Sequence, residues 1–254
     1  MANYETPVTE YMTTPVETVR IGESLVAANE LFAGQGVSAL GVLDDAGVLK
    51  GVISRTDILH AAVYTHGETF RVPDRPVEEL MKSPAISVGP GAPLSQAAKL
   101  MLKNHVHRVF VTKGDKPEGV LSTRDLMRAV REKRLKTPIA EIASGSVVKV
   151  KADDPIALAV DRLDLSNKHG LVVVEGDFPV GLFDQASALA SRRLPPNTAV
   201  EHAMDVRILI LPGGIGMGRA AEQALGMNVR RILIEDDLGV SGIVGGLDFA
   251  RVMG

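Results

Sequence analysis

The sequence predicts an α/β protein built from four copies of a strand–helix–strand–strand–helix unit. Four similar segments indicate this repetition: GVISRTD at 51–57, GVLSTRD at 119–125, GLFDQAS at 181–187 and GIVGGLD at 242–248. Their first glycines are 68, 62 and 61 positions apart, so one unit of about 60 residues recurs along the chain. The 25 glycines and 14 prolines supply the frequent turns that short elements require.

The first unit, about residues 6–64, shows the order of elements most clearly. The β-branched stretch 15–21 predicts a strand, and apolar residues at helical spacing in 24–34 predict a helix that ends near two glycines. Apolar stretches on both sides of a turn at 44–47 predict two further strands. A second helix is expected from about Thr56 onward.

The second unit, about residues 76–133, follows a polar linker at 64–75 and repeats the first at an offset of 68 or 69 residues. The agreement includes both apolar positions and turn residues, which chance would not reproduce together. The matched pairs are Met12 with Met81, Pro15 with Pro84, Leu25 with Leu94, Ala28 with Ala97, and Asp57 with Asp125. Weaker copies of the same order are expected at about 137–193 and 197–254.

The composition excludes several classes of protein. The 254 residues contain no cysteine, which removes disulfides, thiolate nucleophiles and cysteine zinc sites. A net charge of -3 lacks the basic excess of nucleic-acid binders, and no apolar stretch approaches the roughly 20 residues of a membrane span. The N-terminal residues lack the pattern of a signal peptide, so we expect a cytoplasmic protein.

The repeated units resemble the CBS (cystathionine β-synthase) domain. Each unit ends in a strand, a glycine, two apolar residues, a hydroxyl residue and an acid three positions later, most closely in the first two units. The resemblance implies that the repeats pair as two Bateman modules, 1–136 and 137–254, assembled as a disk within the chain or as a homodimer. It further implies clefts that bind AMP, ADP, ATP or S-adenosylmethionine, and a regulatory role towards an unknown protein.

The repeated segment also suggests a phosphate site on chemical grounds. A strand that ends at Ser54 or Ser122 and leads into a helix leaves backbone N–H groups that, with the hydroxyl, can donate to a phosphate. The neighbouring Arg55 and Arg124 can add charge-assisted hydrogen bonds to phosphate oxygens.

The acids of the same segments predict a ribose site. An ionised Asp57 or Asp125 can accept both hydroxyl protons of a ribose, as acids do in dinucleotide sites. A serine and an aspartate at the start of a helix also serve as ordinary caps, and each residue taken singly favours that interpretation. Two complete copies in one pair of repeats favour the binding interpretation.

The resemblance places the adenine against the first strand of each unit and the end of the second strand. His107 and Arg108 lie near the same edge in the sequence pattern and are expected to contact phosphate, with a histidine making binding pH-sensitive. Metal binding by the histidines is not expected, because no matched acidic or histidine cluster accompanies them. The residues predicted to contact the base are Thr14, Val16, Leu40, Ser83, Ala85 and Val109.

The third and fourth units depart from the pattern. Asp184 stands in the hydroxyl position and Ser187 in the acid position, so we expect the third site to be empty or altered. The fourth unit keeps Asp248, an expected nucleotide contact, but has Gly245 in the hydroxyl position. A degenerate second module is therefore predicted.

Three alternatives remain open from the sequence. The segment PGGIGMG at 212–218 resembles a dinucleotide-binding motif, but its glycine spacing does not match, and an ordinary loop is expected. The basic stretch 128–136 could bind a polyanion, although a solvated helix end is the simpler interpretation. A ligand-free scaffold that only dimerises or docks on a partner would need none of the predicted contacts.

The leading prediction is a regulatory protein that binds an adenine nucleotide in its first module. We find no triad, paired catalytic carboxylates or metal-ligand cluster in the sequence, so no enzymatic activity and no catalytic cofactor are expected. The expected ligand is AMP, ADP or ATP, with S-adenosylmethionine as an alternative.

Overall fold

The architecture is taken from a computed structural model of the chain. The predicted linker at 64–75 and the end of the helix before it fall largely outside the described residues. The residues that the structure describes are 4–61, 72–144, 147–166, 170–237 and 239–253.

The described residues form four copies of the predicted strand–helix–strand–strand–helix order, which confirms the fold class. The strands are β1 (Thr18–Arg20), β2 (Ala39–Leu43), β3 (Leu49–Ser54), β4 (Ser87–Val88), β5 (Arg108–Lys113), β6 (Lys116–Ser122), β7 (Lys149–Lys151), β8 (Gly170–Glu175), β9 (Phe178–Asp184), β10 (Ile210–Pro212), β11 (Ile232–Asp236) and β12 (Gly239–Val244). The α-helices are α1 (Leu25–Gln35), α2 (Arg55–Ala61), α3 (Leu94–Asn104), α4 (Thr123–Glu132), α5 (Ile156–Leu165), α6 (Gln185–Ala190), α7 (Met217–Gly226) and α8 (Gly246–Arg251).

Each repeat contributes one sheet of three strands. In every sheet the first strand pairs parallel to the second, and the second pairs antiparallel to the third. The parallel pair is joined by the first helix of the repeat, as a parallel connection requires. The third strand then runs directly into the second helix, so the predicted serine and acid lie where a strand ends and a helix begins.

The first strand of the first repeat is shorter than the sequence predicts. The stretch 15–21 predicts one strand, yet β1 covers only Thr18–Arg20. The residues before it pair elsewhere, because Thr13 exchanges both backbone hydrogen bonds with Val120 in β6, at 2.9 and 3.0 Å. The equivalent residue of the second repeat, Lys82, does the same with Val52 in β3, at 2.9 Å in each direction.

The backbone contacts divide the chain into two compact units that differ from its sequential halves. Unit 1 contains residues 1–16, 86–147 and 207–254, and unit 2 contains residues 17–85 and 148–206. The second and fourth repeats therefore share unit 1, and the first and third repeats share unit 2. The division into modules 1–136 and 137–254 stays a prediction.

The helices explain which repeats share a unit. In unit 1, α4 packs against α7 and α8, and α3 also packs against α8. Gly246 permits the contact of α4 with α8, since a Cβ there would overlap the Thr123 hydroxyl. In unit 2, α2 packs against α6.

Each unit has its own apolar core. In unit 1 the core joins the inner faces of α3, α4, α7 and α8 to β5, and includes the fully buried Leu94, Met101 and Leu126. In unit 2 the core joins α1, α2 and α5 to β2 and β8, and includes the buried Phe32 and Phe183. Within the described residues, no helix has both the length and the apolar character needed to cross a membrane.

Candidate functional site

The predicted ribose acid of the second repeat, Asp125, lies buried in the first turn of α4 with 4% of its surface exposed. One carboxylate oxygen, Oδ2, accepts hydrogen bonds from the Ser122 backbone N–H at 2.8 Å and the Ser122 hydroxyl at 2.7 Å. The other oxygen, Oδ1, pairs with the Arg128 guanidinium at 3.0 Å. The acid is thus both a helix cap and one half of an ion pair.

Arg128 connects Asp125 to the N-terminal segment of unit 1. Its guanidinium also donates to the Tyr11 carbonyl at 3.3 Å and lies 5.6 Å from the centre of the Tyr11 ring. The Tyr11 hydroxyl donates to Glu132, one turn further along α4. Burial, together with this hydrogen bond and the nearby carboxylate, raises the pKa of Tyr11 to about 12. The segment before Thr14 is therefore fixed along α4 beside the acid.

The predicted ribose acid of the first repeat, Asp57, has the same capping arrangement in unit 2. Its Oδ2 accepts from the Ser54 backbone N–H at 2.8 Å and from the Ser54 hydroxyl. Its Oδ1 pairs with the Lys82 ammonium at 3.3 Å, and its side chain is 9% exposed. Here the cation comes from the segment that begins the second repeat, whereas Arg128 belongs to the same helix as its acid.

The predicted residues Ser83 and Ala85 follow Lys82 on this segment. The Ser83 hydroxyl donates to the Lys50 carbonyl at 2.7 Å, which holds the segment beside β3. Ser83 is exposed and Ala85 is half-buried. The structure therefore brings Ser54 and Asp57 of the first repeat beside the segment at 82–85, which the prediction assigned to the base of the second repeat.

The glycine of the repeated segment packs closely against a methionine for which the sequence predicts no role in the site. A Cβ at Gly119 would overlap the Met12 side chain, and a Cβ at Gly51 would lie 2.9 Å from Met81 Sδ. Gly181 stands in the same relation to Met204, at 2.5 Å from Sδ. In the first two repeats this contact seats the segments that carry Thr14 and Ser83.

The serine hydroxyls already donate to the acids. Because the hydroxyl has one proton, Ser54 and Ser122 can donate to a phosphate only after they turn away from Asp57 and Asp125. The first backbone N–H of α4, at Thr123, is likewise used, since it donates to the His107 carbonyl at 2.9 Å. The two serine hydroxyls and the first N–H of α4 are therefore engaged within the protein in this structure.

The two arginines of the repeated segments make contacts with neighbouring helices. Arg55 donates to the Phe32 carbonyl at 2.8 Å and lies 5.9 Å from the centre of the Phe32 ring. Arg124 donates to the Leu225 carbonyl at 3.2 Å. Burial, with a smaller contribution from the nearby Arg230 charge, lowers the pKa of Arg124. Their predicted contacts with phosphate stay predictions.

The predicted base contacts are of two kinds. Leu40 and Val109 have no exposed surface and belong to the cores of the two units, so their side chains cannot touch a base in this structure. Val16 is half-buried and Thr14 is exposed. Contact of a base with Thr14 and Val16 stays a prediction, and both residues have exposed surface.

His107 and Arg108 lie where β5 begins, with Arg108 opposite Ser122 in the register of β5 with β6. Both are half-buried, and Val109 beside them is fully buried. This register places the pair at the same end of the sheet as Ser122. Histidine and carboxylate side chains form no group of three that could hold a metal within the part of the chain that the structure describes.

The third and fourth repeats use their altered motifs differently. Asp184 caps α6, accepting from the Ala186 and Ser187 backbone N–H groups at 2.8 and 3.1 Å. Asp248 accepts from the Gly245 backbone N–H at 2.7 Å, from the Ser144 hydroxyl at 3.1 Å and from Arg251 at 2.9 Å. A ligand at Asp248 would have to displace two further partners.

Sequence reasoning missed four residues that shape these sites: Lys82, Arg128, Tyr11 and Met12. A signal for Arg128 was present, because a cation three residues after an acid in a helix lies on the same face. The sequence pattern matches methionines 12 and 81 as equivalent positions of the repeat, and this match alone indicates no role in the site. Lys82 had no signal, since its acid is 25 residues away in the sequence.

Comparisons with known proteins place these observations in a family. The model of the CBS domain matches residues 8–64 and 77–132. The CBS domain-containing protein YhcV of Bacillus subtilis is 30% identical over 119 residues, which cover 47% of this chain and 81% of YhcV. An uncharacterised 33.4 kDa protein from a ribosomal RNA operon of Thermofilum pendens is 28% identical over 203 residues, covering 73% of this chain and 63% of that protein. The chain spans less than two thirds of the length of the first curated relatives that it matches.

A solved structure is similar over nearly the whole chain. The crystal structure of protein MJ1225 from Methanocaldococcus jannaschii, described as a candidate archaeal homologue of g-AMPK, has a TM-score of 0.84 to this chain. The two are 15% identical, and the match covers 98% of this chain and 100% of MJ1225. At this identity the likeness shows the fold alone.

Proposed function

The chain belongs to the CBS-domain family, and on this premise we propose that it is a regulatory module that binds an adenine nucleotide, AMP, ADP or ATP, at Asp57 and at Asp125. The observation that carries the proposal is the shared arrangement of these two acids. In each, one oxygen is fixed by a serine, while the other meets a cation on a partly exposed side chain.

The hydrogen-bonding capacity of each carboxylate supports a sugar diol. An ionised carboxylate has about four acceptor positions, two on each oxygen. The serine N–H and hydroxyl use both positions on Oδ2, and the cation uses one on Oδ1. At either site Oδ1 can therefore accept one ribose hydroxyl beside the cation, and at Asp57 it can accept a second if the exposed Lys82 ammonium moves away. This leaves the helix cap intact while the ligand binds.

The regulatory part of the proposal follows from where the cations come from. At Asp125 the cation, Arg128, also contacts Tyr11. A ligand that binds Asp125 therefore weakens or strengthens the attachment of the N-terminal segment to α4. A ligand with unequal affinity for the two arrangements shifts their populations by that difference in affinity. The regulated protein is then one that distinguishes these arrangements.

A ligand-free scaffold is the second candidate, and one observation favours it. Each acid of the repeated segments already caps a helix, and Asp57, Asp125 and Asp248 also pair with a cation, without any ligand. Burying capped acids in this way stabilises helix starts on its own.

Thermal unfolding with AMP, ADP, ATP and S-adenosylmethionine separates the two candidates. A ligand that binds only the folded chain stabilises it by about 2.7 kcal/mol at a hundredfold excess over its dissociation constant. We expect an adenine nucleotide to raise the midpoint of thermal unfolding and cytidine monophosphate to leave it unchanged. An unchanged midpoint with all the adenosine compounds would support the scaffold. A higher midpoint with S-adenosylmethionine alone would indicate that S-adenosylmethionine, and not a nucleotide, is the ligand.

A further inference from the structure

We propose that Lys82 makes the Asp57 site selective for a phosphorylated nucleoside, by pairing with Asp57 in the free protein and with the ligand phosphate in the complex. This inference rests on the proposed function and adds to it a residue that recognises one charged group of the ligand. The Asp125 site, whose cation is fixed, has no such exchange.

The two sites differ in the origin of their cations. Three residues after Asp125, α4 carries Arg128, but three residues after Asp57, α2 carries His60. The His60 imidazole lies 2.9 Å from Asp164 and so points away from the acid it follows. In unit 2 the cation that pairs with the acid is Lys82. Its counterpart before the first strand, Thr13, has no charge to offer Asp125.

The Lys82 ammonium is free to move while its backbone is held. The backbone N–H and C=O of Lys82 both pair with Val52 at 2.9 Å, which fixes the base of the side chain beside β3. The side chain itself is 70% exposed, and four methylene groups separate the ammonium from that fixed point. Because the ammonium end is solvated, Lys82 can pass from Asp57 to another anion without breaking contacts elsewhere in the protein.

Arg128 lacks this freedom. Its guanidinium contacts the Asp125 carboxylate, the Tyr11 carbonyl and the Tyr11 ring, and its side chain is 39% exposed. Moving it to a phosphate would break three contacts, whereas moving Lys82 breaks the single contact described for its ammonium.

The exchange of Lys82 from Asp57 to the phosphate reduces the repulsion between the Asp57 carboxylate and the ligand phosphate. A nucleotide whose ribose hydroxyls bind the carboxylate brings its phosphate towards a negatively charged acid. Like charges at close range disfavour binding unless a cation lies between them. When the ribose hydroxyls satisfy Asp57 Oδ1, the ammonium is released from its role there and can pair with the phosphate. Lys82 thereby contributes to the binding of a nucleotide and not to that of a nucleoside.

The test compares AMP with adenosine in two lysine variants, by isothermal titration calorimetry on the full chain. The Asp125→Asn substitution is placed in every variant so that the Asp57 site is measured alone. Lys82→Gln removes the ammonium and leaves an uncharged polar side chain that is one atom shorter. Lys99→Gln on α3, an exposed lysine of unit 1, is the matched control for loss of one charge. Lys82→Arg restores a cation.

We expect Lys82→Gln to weaken the binding of AMP about tenfold, because one charge-assisted contact is lost. The dissociation constant of adenosine should change by less than about twofold. The control should leave both affinities unchanged, and Lys82→Arg should recover the preference for AMP. The remaining AMP affinity in Lys82→Gln should depend less on salt, because one ionic contact is missing.

Two results would overturn the inference, and they are distinguishable. If AMP binds but the ratio of adenosine to AMP dissociation constants is the same with and without the ammonium, Lys82 does not select the phosphate, and the proposed function stands. If neither ligand binds the Asp125→Asn chain with its natural lysine, the inference fails; if neither binds the unsubstituted chain, with both acids present, the proposed function fails as well.

Discussion

The packing of methionine on the glycine of the repeated segment can be tested by replacing Gly119 with alanine. All three atoms nearest to the added Cβ belong to the Met12 side chain, with Cγ at 2.9 Å and Cβ at 3.3 Å. Extra volume at a packed contact of this kind costs about 1–3 kcal/mol. Because the obstacle is a flexible side chain, Met12→Ala in the same chain should relieve most of that cost.

The two substitutions should therefore be non-additive. We expect the Gly119→Ala and Met12→Ala double variant to be more stable than the sum of its single effects by about 1–2 kcal/mol, a coupling typical of residues in contact. Equilibrium unfolding in urea, followed by far-UV circular dichroism, gives the three free-energy differences of the cycle.

Gly51 and Met81 provide a control within the same chain. The nearest atom to a Cβ at Gly51 is the Lys82 backbone oxygen at 2.7 Å, ahead of Met81 Sδ at 2.9 Å. That oxygen is held by Val52, so Met81→Ala should not rescue Gly51→Ala, and the coupling should stay below about 0.5 kcal/mol. Additive effects in the Gly119 cycle, or an equal rescue at Gly51, would refute the explanation of the two glycines.

Three further outcomes follow from the contacts. Asp125→Ala should cost about 2–3 kcal/mol of unfolding free energy, because it leaves the Ser122 N–H and a guanidinium without their acceptor; Asp125→Asn, measured by the same urea titration, should cost less. Stability should fall as the pH rises from 10 towards 12, because burial raises the pKa of Tyr4 and Tyr11 to about 12 while the unfolded tyrosines ionise near 10. Tyr4→Phe should reduce that alkaline loss without lowering stability at pH 7, since the buried Tyr4 hydroxyl has no hydrogen-bond partner among the described atoms, and an unchanged alkaline slope would contradict the assignment.

The repeated fold could be predicted because local and long-range signals agree. Each unit gives its helices by apolar spacing and its strands by β-branched stretches, and the recurrence of the motif fixed the order of elements four times. The left-handed Gly36, with φ of 67°, ends α1 as the glycine predicted. Strand ends were predicted less well, since Thr13 pairs with Val120, 107 residues away, and no local pattern reports such a contact.

The candidate site could be predicted only in part. Asp57 and Asp125 lie beside the predicted serines because a strand end and a helix start are local features. The direction of Arg55 was not predictable, because its partner is the carbonyl that ends a turn of α1. The contact of Lys82 with Asp57 was not predictable for a related reason, since the segment that carries Lys82 reaches Asp57 through pairing with β3.

The sharing of units by alternate repeats was also beyond the sequence. Adjacent repeats are the natural pairs when only the order of elements is known. The close contact of Gly246 with Thr123 depends on small residues on two helices far apart in the chain. The order of elements alone says nothing of which helices meet.

The most direct test of nucleotide binding at the two acids is the number of AMP molecules bound at saturation, measured by equilibrium dialysis. We predict two per chain for the natural sequence, one for each acid held by a serine and a cation. We predict one for Asp57→Ala or Asp125→Ala and none when both substitutions are combined. Undiminished binding in the double variant, or no binding in the natural chain, would contradict the proposed site.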